Sequence, residues 1–502
     1  MRNLEEETNI FFGRLFDYNT LLLKRSNHQK EAGSYRFTDI IDFYITSHAL
    51  SIVKSINMKL WGSIGLFQNS RCVLEGIALK RMYEAGDISE DQVDLLQSQA
   101  ALMEYKYYSR FDEIIDQIVF PEELKKSYDR ACVAFYRKLN GKYSEKEVKN
   151  ILRSNVPFLC DPRINFHSLI LKYLGKAPAK AYSIFSQAVH PSDNTAYKNK
   201  DFHALTQITY DFLCAEYGNL PSSQGTFNNY IKMCMTSPVP RMQHDIVSEQ
   251  STILLGILNV FQGNFGDNYI SDSLNTFVRL KHDLLLDCQL GFREQAKVKW
   301  KNMLEFLASF YFVCMDPCMT QRLKLITAHG NMKLNQSLDT ETDFDSIYTI
   351  YKGIYPAGCK KEKFIKSFCG PTGYTINEDG KTLQLAKLVD IFLQRIYGPE
   401  TEMQQIVKLD YCESQMLSHA NGYMWFANSG AWMDIYSIFF AIETGMAIIL
   451  DMLRNVFNII RQKDTSGKYH TVVNVLRNGT KKYQTCSKRL LDLLKIPATS
   501  IL

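Results

Sequence analysis

Two stretches lying far apart in the first half of the chain return in the second half, in the same order and at nearly the same separation. Arg71-Cys-Val-Leu-Glu75 is answered by Lys301-Asn-Met-Leu-Glu305, and Tyr182-Ser-Ile-Phe-Ser-Gln-Ala-Val-His190 by Tyr411-Cys-Glu-Ser-Gln-Met-Leu-Ser-His419. Glu75 precedes His190 by 115 residues and Glu305 precedes His419 by 114, with Tyr and His eight apart in both. The flanks agree as well: Leu171-Lys-Tyr-Leu-Gly175 leads into the first Tyr, and Ile391-Phe-Leu-Gln-Arg-Ile-Tyr-Gly398 into the second. A repeat of this kind limits the fold to one unit built twice, packed as a pseudo-dimer in which like surfaces meet.

The units read as helical. Apolar residues recur at helical spacing through nearly every long segment. Ser89 with Gln92, and Ser144 with Glu147, are placed as capping boxes ahead of such runs. The one exception is Tyr469 to Tyr483, where Val472, Val473 and Val475 precede Asn478-Gly479; it reads as a helix ended by Gly479, with a hairpin as the alternative. Ile435 to Leu453 is the most apolar run, and Glu443 and Asp451 interrupt it, so a buried helix is expected there rather than a membrane span. The expected class is all-α, two related helical bundles. Residues 1–40 are read as a helical extension, 41–225 as the first bundle, 226–250 as a Pro/Gly-containing linker, and 251–502 as the second bundle with an insertion at about 331–381.

Composition excludes few partners. The net charge of +5 over 502 residues is mild. The 12 cysteines are scattered through apolar stretches and the start of the chain is acidic, so free thiols in a reducing cytoplasm are expected. Cys314, Cys318, Cys359 and Cys369 fit no zinc spacing and are read as core thiols, with no metal and no cofactor. The basic stretches Lys360 to Lys366 and Arg477 to Arg489 read as solvated faces, with contact to nucleic acid as the alternative. No phosphate-binding loop, dinucleotide fingerprint or serine-hydrolase elbow occurs.

The chemistry therefore sits in the repeated residues. Arg71 and Glu75 share one face of a helix that is otherwise apolar nearly all round, and such a pair is costly to bury without partners. Tyr182, Ser186 and His190 form one stripe of polar tips, so they are the natural partners. Pro191 after His190 and Asn421-Gly422 after His419 place both imidazoles in a last helical turn, where the dipole favours the cation. Two readings stay open: a polar network that fixes helix register, or a phosphate-binding or catalytic site. A metal suits neither, because Arg71 would repel it.

Arg-x3-Glu on an early helix, then Leu-Gly, then Tyr-x3-Ser-x3-His-Pro, resembles a bacterial family known only as a domain of unknown function and related to the HEPN helical-bundle superfamily, which includes AbiV-like abortive-infection proteins. The first half carries the resemblance across about Ser47 to Asn194; the second matches with Lys301 for Arg71 and Gln415 for Ser186. The resemblance implies paired bundles of four or five helices and a role in toxin, phage-defence or RNA-cutting systems. It also implies a metal-independent ribonuclease in which His190 is the acid/base and Arg71 steadies the phosphate, with His419 and Lys301 as counterparts beside Glu305 and Tyr411. HEPN nucleases carry an Arg a few residues before a His on one helix; neither His190 nor His419 has one, whereas Arg322 and His329 meet the spacing. The partners expected are RNA or another nucleic acid, or a protein of a defence complex, with no membrane and a possible oligomer. The rival reading is a non-catalytic scaffold or sensor.

Overall fold

The structure is a computed structural model that describes residues 2–32, 36–57, 64–88, 165–188, 201–221, 236–265, 268–338, 340–417, 435–463, 465–467 and 469–495, with a few single positions between 122 and 133. Among these residues it is all helical. The first half holds α1 (Arg2–Ala32), α2 (Phe37–Asn57), α3 (Ile64–Glu84), α4 (Phe166–Tyr173), α5 (Lys176–Ala188) and α6 (Asp201–Tyr217). The second holds α7 (Pro238–Phe265), α8 (Asn268–Leu290), α9 (Arg293–Met315), α10 (Met319–Leu338), α11 (Phe344–Ile354), α12 (Lys361–Phe368), α13 (Leu385–Tyr397), α14 (Glu402–Met416), α15 (Ile435–Lys463) and α16 (His470–Leu494).

Side-chain caps set several of the boundaries. Asn165 accepts the Ser168 N–H ahead of α4, Asp343 those of Asp345 and Ser346 ahead of α11, and Thr401 that of Gln404 ahead of α14. In each half a short helix hands over to the Tyr-bearing helix through a glycine in the left-handed region, Gly175 (φ 98°) between α4 and α5 and Gly398 (φ 88°) between α13 and α14. A side chain at either place would strain the backbone, so these glycines fix the turn.

The packing order runs in parallel. In the first half α1 lies on α2, α2 on α3, and α3 on both α4 and α5, which also touch each other. In the second half α7 lies on α8, α8 on α9, and α9 on both α13 and α14, which again touch each other. The central helices α3 and α9 are correspondingly buried nearly all round. Across the halves α3 meets α8 and α9, and one continuous apolar core runs through both.

Several boundaries differ from expectation. The helix read as an N-terminal extension is built into the core: Phe12, Leu15 and Leu22 of α1 are buried, and α1 lies on α2. The second-half boundary at 251 falls inside α7, because Pro238 and Pro240 sit in its first turn, where a missing N–H costs nothing. The insertion begins later than 331, since α10 continues to Leu338. It is itself helical, and its Tyr351, Phe364 and Phe368 share a small separate core with Leu325 and Met332 of α10. Tyr469 to Tyr483 belongs to α16, and Gly479 lies inside that helix: a side chain there would come within 2.8 Å of Ile257 on α7. The two capping-box serines, Ser89 and Ser144, lie outside the described residues. α15 is long and apolar enough to cross a membrane by length and composition, and half of that stretch is buried against its neighbours. Its Glu443 pairs with Lys281 of α8.

Candidate functional site

α3 is buried nearly all round, so Arg71 and Glu75 carry charge into the centre of the first half, at 4% and 0% exposure. One turn apart, they pair, with Nε 3.5 Å from Oε1. α5 supplies the third member: the Tyr182 hydroxyl donates to Glu75 Oε1 at 3.0 Å across 107 positions of sequence. Burial, and then the Glu75 carboxylate, holds the Tyr182 hydroxyl far above the ordinary phenol range, so it stays a neutral donor. Burial alone would lower the Arg71 guanidinium, but Glu75 and Tyr182 outweigh it and the cation is held more firmly than usual. Ser186, one turn beyond Tyr182, lies beside its oxygen.

The second half builds the same triad on α9 and α14. Lys301 Nζ stands 3.2 Å from Glu305 Oε1, and the Tyr411 hydroxyl donates to that oxygen at 2.9 Å. Gln415, at the position of Ser186, donates to the Tyr411 oxygen at 2.9 Å. Lys301, Glu305 and Tyr411 are all buried. Lysine in place of arginine keeps the charge and gives up the planar fork. The tyrosine and the carboxylate therefore do the same work twice.

Sequence reasoning missed a further side chain beside the first cluster and the element that joins the halves. His48 of α2 is fully buried, stacks edge-on against Tyr44 at 4.6 Å and reaches Asn69 Oδ1 through Nδ1 at 2.7 Å. Burial pulls its imidazole down to about 4, so it is neutral at pH 7. Asn69 donates onward to Ser51 Oγ at 3.0 Å, and Ser51 to Asp287 Oδ1 at 3.2 Å. There the path enters a closed quartet of Lys54, Asp283, Asp287 and Lys299, two cations and two anions at no more than 1% exposure. Lys54 of α2 pairs with Asp287 and sits 3.1 Å from Asp283; Lys299 of α9 sits 2.9 Å from the other oxygen of Asp283. Gly65 of α3 lets the helices close over it, since a methyl group there would overlap Asp283 and come within 2.6 Å of Lys299. The only signal in the sequence was the i,i+4 spacing of Asp283 and Asp287 on an otherwise apolar face.

His190 and His419 lie outside the described residues, so the structure brings together Arg71, Glu75, Tyr182 and Ser186 in one half and Lys301, Glu305 and Tyr411 in the other. Arg322 and His329, which meet the nuclease spacing, have another task. Arg322 donates to the carbonyls of Tyr374 and Ile376 at 2.9 and 3.0 Å, to Asp316 at 2.8 Å and to the Tyr355 hydroxyl at 3.0 Å. His329 bonds the Gly370 carbonyl at 2.9 Å, and burial lowers it to about 4. Both pin the insertion to α10. Among the described residues no three His, Cys, Asp or Glu side chains gather as metal ligands would. No protein family, curated protein or solved structure matches this chain, so its function is argued from the geometry of these clusters.

Proposed function

We propose that the chain is a duplicated, HEPN-type helical bundle that serves as a non-catalytic scaffold or sensor in a defence-type complex, its repeated clusters holding the helices in register. The observation that carries this reading is the burial of both triads: no member exceeds 9% exposure, and each carboxylate is occupied by its own cation and tyrosine. A phosphate or an RNA strand would have to displace these partners from a dry interior, which is costly. The duplication is supported by the shared connectivity, by the matching order of helix contacts, and by the paired left-handed glycines Gly175 and Gly398. The test is thermal unfolding of Glu75→Gln and Tyr182→Phe. A register-setting network predicts a clear loss of stability in each, whereas an open catalytic site predicts folding close to wild type.

A second reading, the metal-independent ribonuclease, is favoured by one observation: α5 does pack on α3, and His190 follows two positions after Ala188 at the end of α5. Purified protein that cuts total RNA without added metal, and loses that activity in His190→Ala, would replace the first reading with this one.

A further inference from the structure

α16 carries an uneven charge. From His470 to Leu494 it holds five basic residues (Arg477, Lys481, Lys482, Lys488 and Arg489) against one acid, Asp492, a net of +4. The whole chain is +5, so the remaining residues balance to within one charge. At 100° per residue Arg477, Lys481, Lys488 and Lys495 fall within about 40° of one another, forming a straight row about 27 Å long. All four are exposed. The opposite face is core: Val472, Leu476, Tyr483 and Leu490 are buried against α7 and α15. The acids at hand are few. Asp492 stands 3.6 Å from Lys495, and Glu249 of α7 takes Arg489 at 2.9 Å, which leaves Arg477, Lys481 and Lys488 outside any ion pair among the described residues.

The other basic stretch lacks this separation. On α12 Lys361 pairs with Asp345, and the exposed acids Glu362, Glu378 and Asp379 lie close by in sequence. It is a mixed, solvated face.

We propose that the outer face of α16 is a docking surface for the phosphate backbone of a nucleic-acid strand, which the Arg477–Lys481–Lys488–Lys495 row follows. A linear row of cations complements a linear polyanion. An anionic membrane fits less well, because no large apolar side chain of α16 is exposed to enter it. The surface rests on the scaffold reading in that it names what the scaffold holds. It lies on none of the helices that build the triads, so the two readings fail separately.

The test is fluorescence anisotropy of a fluorescein-labelled 24-nucleotide single-stranded RNA with the full chain. Four phosphate contacts give a slope of log affinity on log salt near −2.8, a loss of about 50-fold between 50 and 200 mM salt. The triple variant R477Q/K481Q/K488Q changes only exposed side chains. It should bind at least about 10-fold more weakly, with the slope reduced by about 2. The charge-matched variant K360Q/K363Q/K366Q should stay within about threefold of wild type. Absence of RNA binding at 50 mM salt overturns the proposal, and so does an equal loss in the two triple variants, which would make the attraction generic. Tighter binding to vesicles containing phosphatidylserine than to the RNA overturns it in favour of a lipid surface. Triad variants as stable as wild type, with RNA binding intact, would sink the scaffold reading and leave this surface standing.

Discussion

Replacing Tyr182 by Phe removes one hydroxyl and keeps the ring that packs between α3 and α5, so its cost isolates the bond to Glu75. That bond is 3.0 Å long and ends on a carboxylate with no exposure, where water cannot take the hydroxyl's place. A hydrogen bond to a buried charge is worth about 1.5–3 kcal/mol, so the variant should lose about 2 kcal/mol. With an m-value of about 2–3 kcal/mol per molar, the urea midpoint followed by circular dichroism should fall by just under about 1 M. The same substitution in a Glu75→Gln background meets a neutral acceptor and should cost less, giving a coupling of about 1 kcal/mol between the two sites. Tyr411→Phe should behave alike, because its hydroxyl reaches Glu305 at 2.9 Å in equal burial, although Gln415 also holds its oxygen. A Tyr182→Phe midpoint within about 0.2 M of wild type, with no coupling to Glu75, would refute the idea that a desolvated carboxylate is being neutralised by design of the fold.

Other perturbations follow from the same physics. Lys54→Met leaves two carboxylates facing one lysine inside the protein and should cost about 3–5 kcal/mol in urea unfolding, whereas pairing it with Asp287→Leu should restore much of the loss. Asp410 is buried on α14 with no hydrogen bond to either carboxylate oxygen among the described residues; Lys297 is 4.0 Å away and Glu413 is a neighbour. Burial raises its carboxyl from 3.8 to about 8, so the folded chain keeps a proton there that the unfolded chain releases. Its contribution to stability is therefore full below pH 4 and falls as pH rises towards 8, and Asp410→Asn should flatten that part of the melting-temperature profile. Gly175→Ala and Gly398→Ala should each cost about 1 kcal/mol, because both force a side chain into the left-handed region at the handover between paired helices. Equal stability of either variant with wild type would mean that the turn relaxes.

The triads were legible because they break a strong pattern. A charged pair in an apolar helix has to be met by something polar, and the repeat pointed to which tyrosine met it in each half. The quartet was not legible in the same way. Lys54 and Asp287 are 233 positions apart and each looks like an ordinary charge near a helix end, so only the folded structure, in which the Lys54 side chain of α2 reaches α8, reveals the pair. His48 was hidden by its neutrality: nothing in Thr46-Ser47-His48 distinguishes a buried imidazole from a solvated one. The boundary at 226–250 misled because Pro238 and Pro240 read as breakers, while a helix start admits them. Gly479 misled because a glycine demanded by the approach of α7 looks the same as one that ends a helix. Arg322 and His329 show that a motif spacing can be met by residues whose work is to hold backbone carbonyls.

Hydrogen exchange of the two central helices tests the account most directly. Peptides covering residues 66–82 and 298–314 are predicted to be the slowest in the chain and to lose protection together, at the rate of global unfolding, with Glu75→Gln accelerating both. Exchange of either peptide within minutes under native conditions, or acceleration confined to the first, would contradict a single buried core locked by paired clusters and joined through the Lys54–Asp283–Asp287–Lys299 quartet.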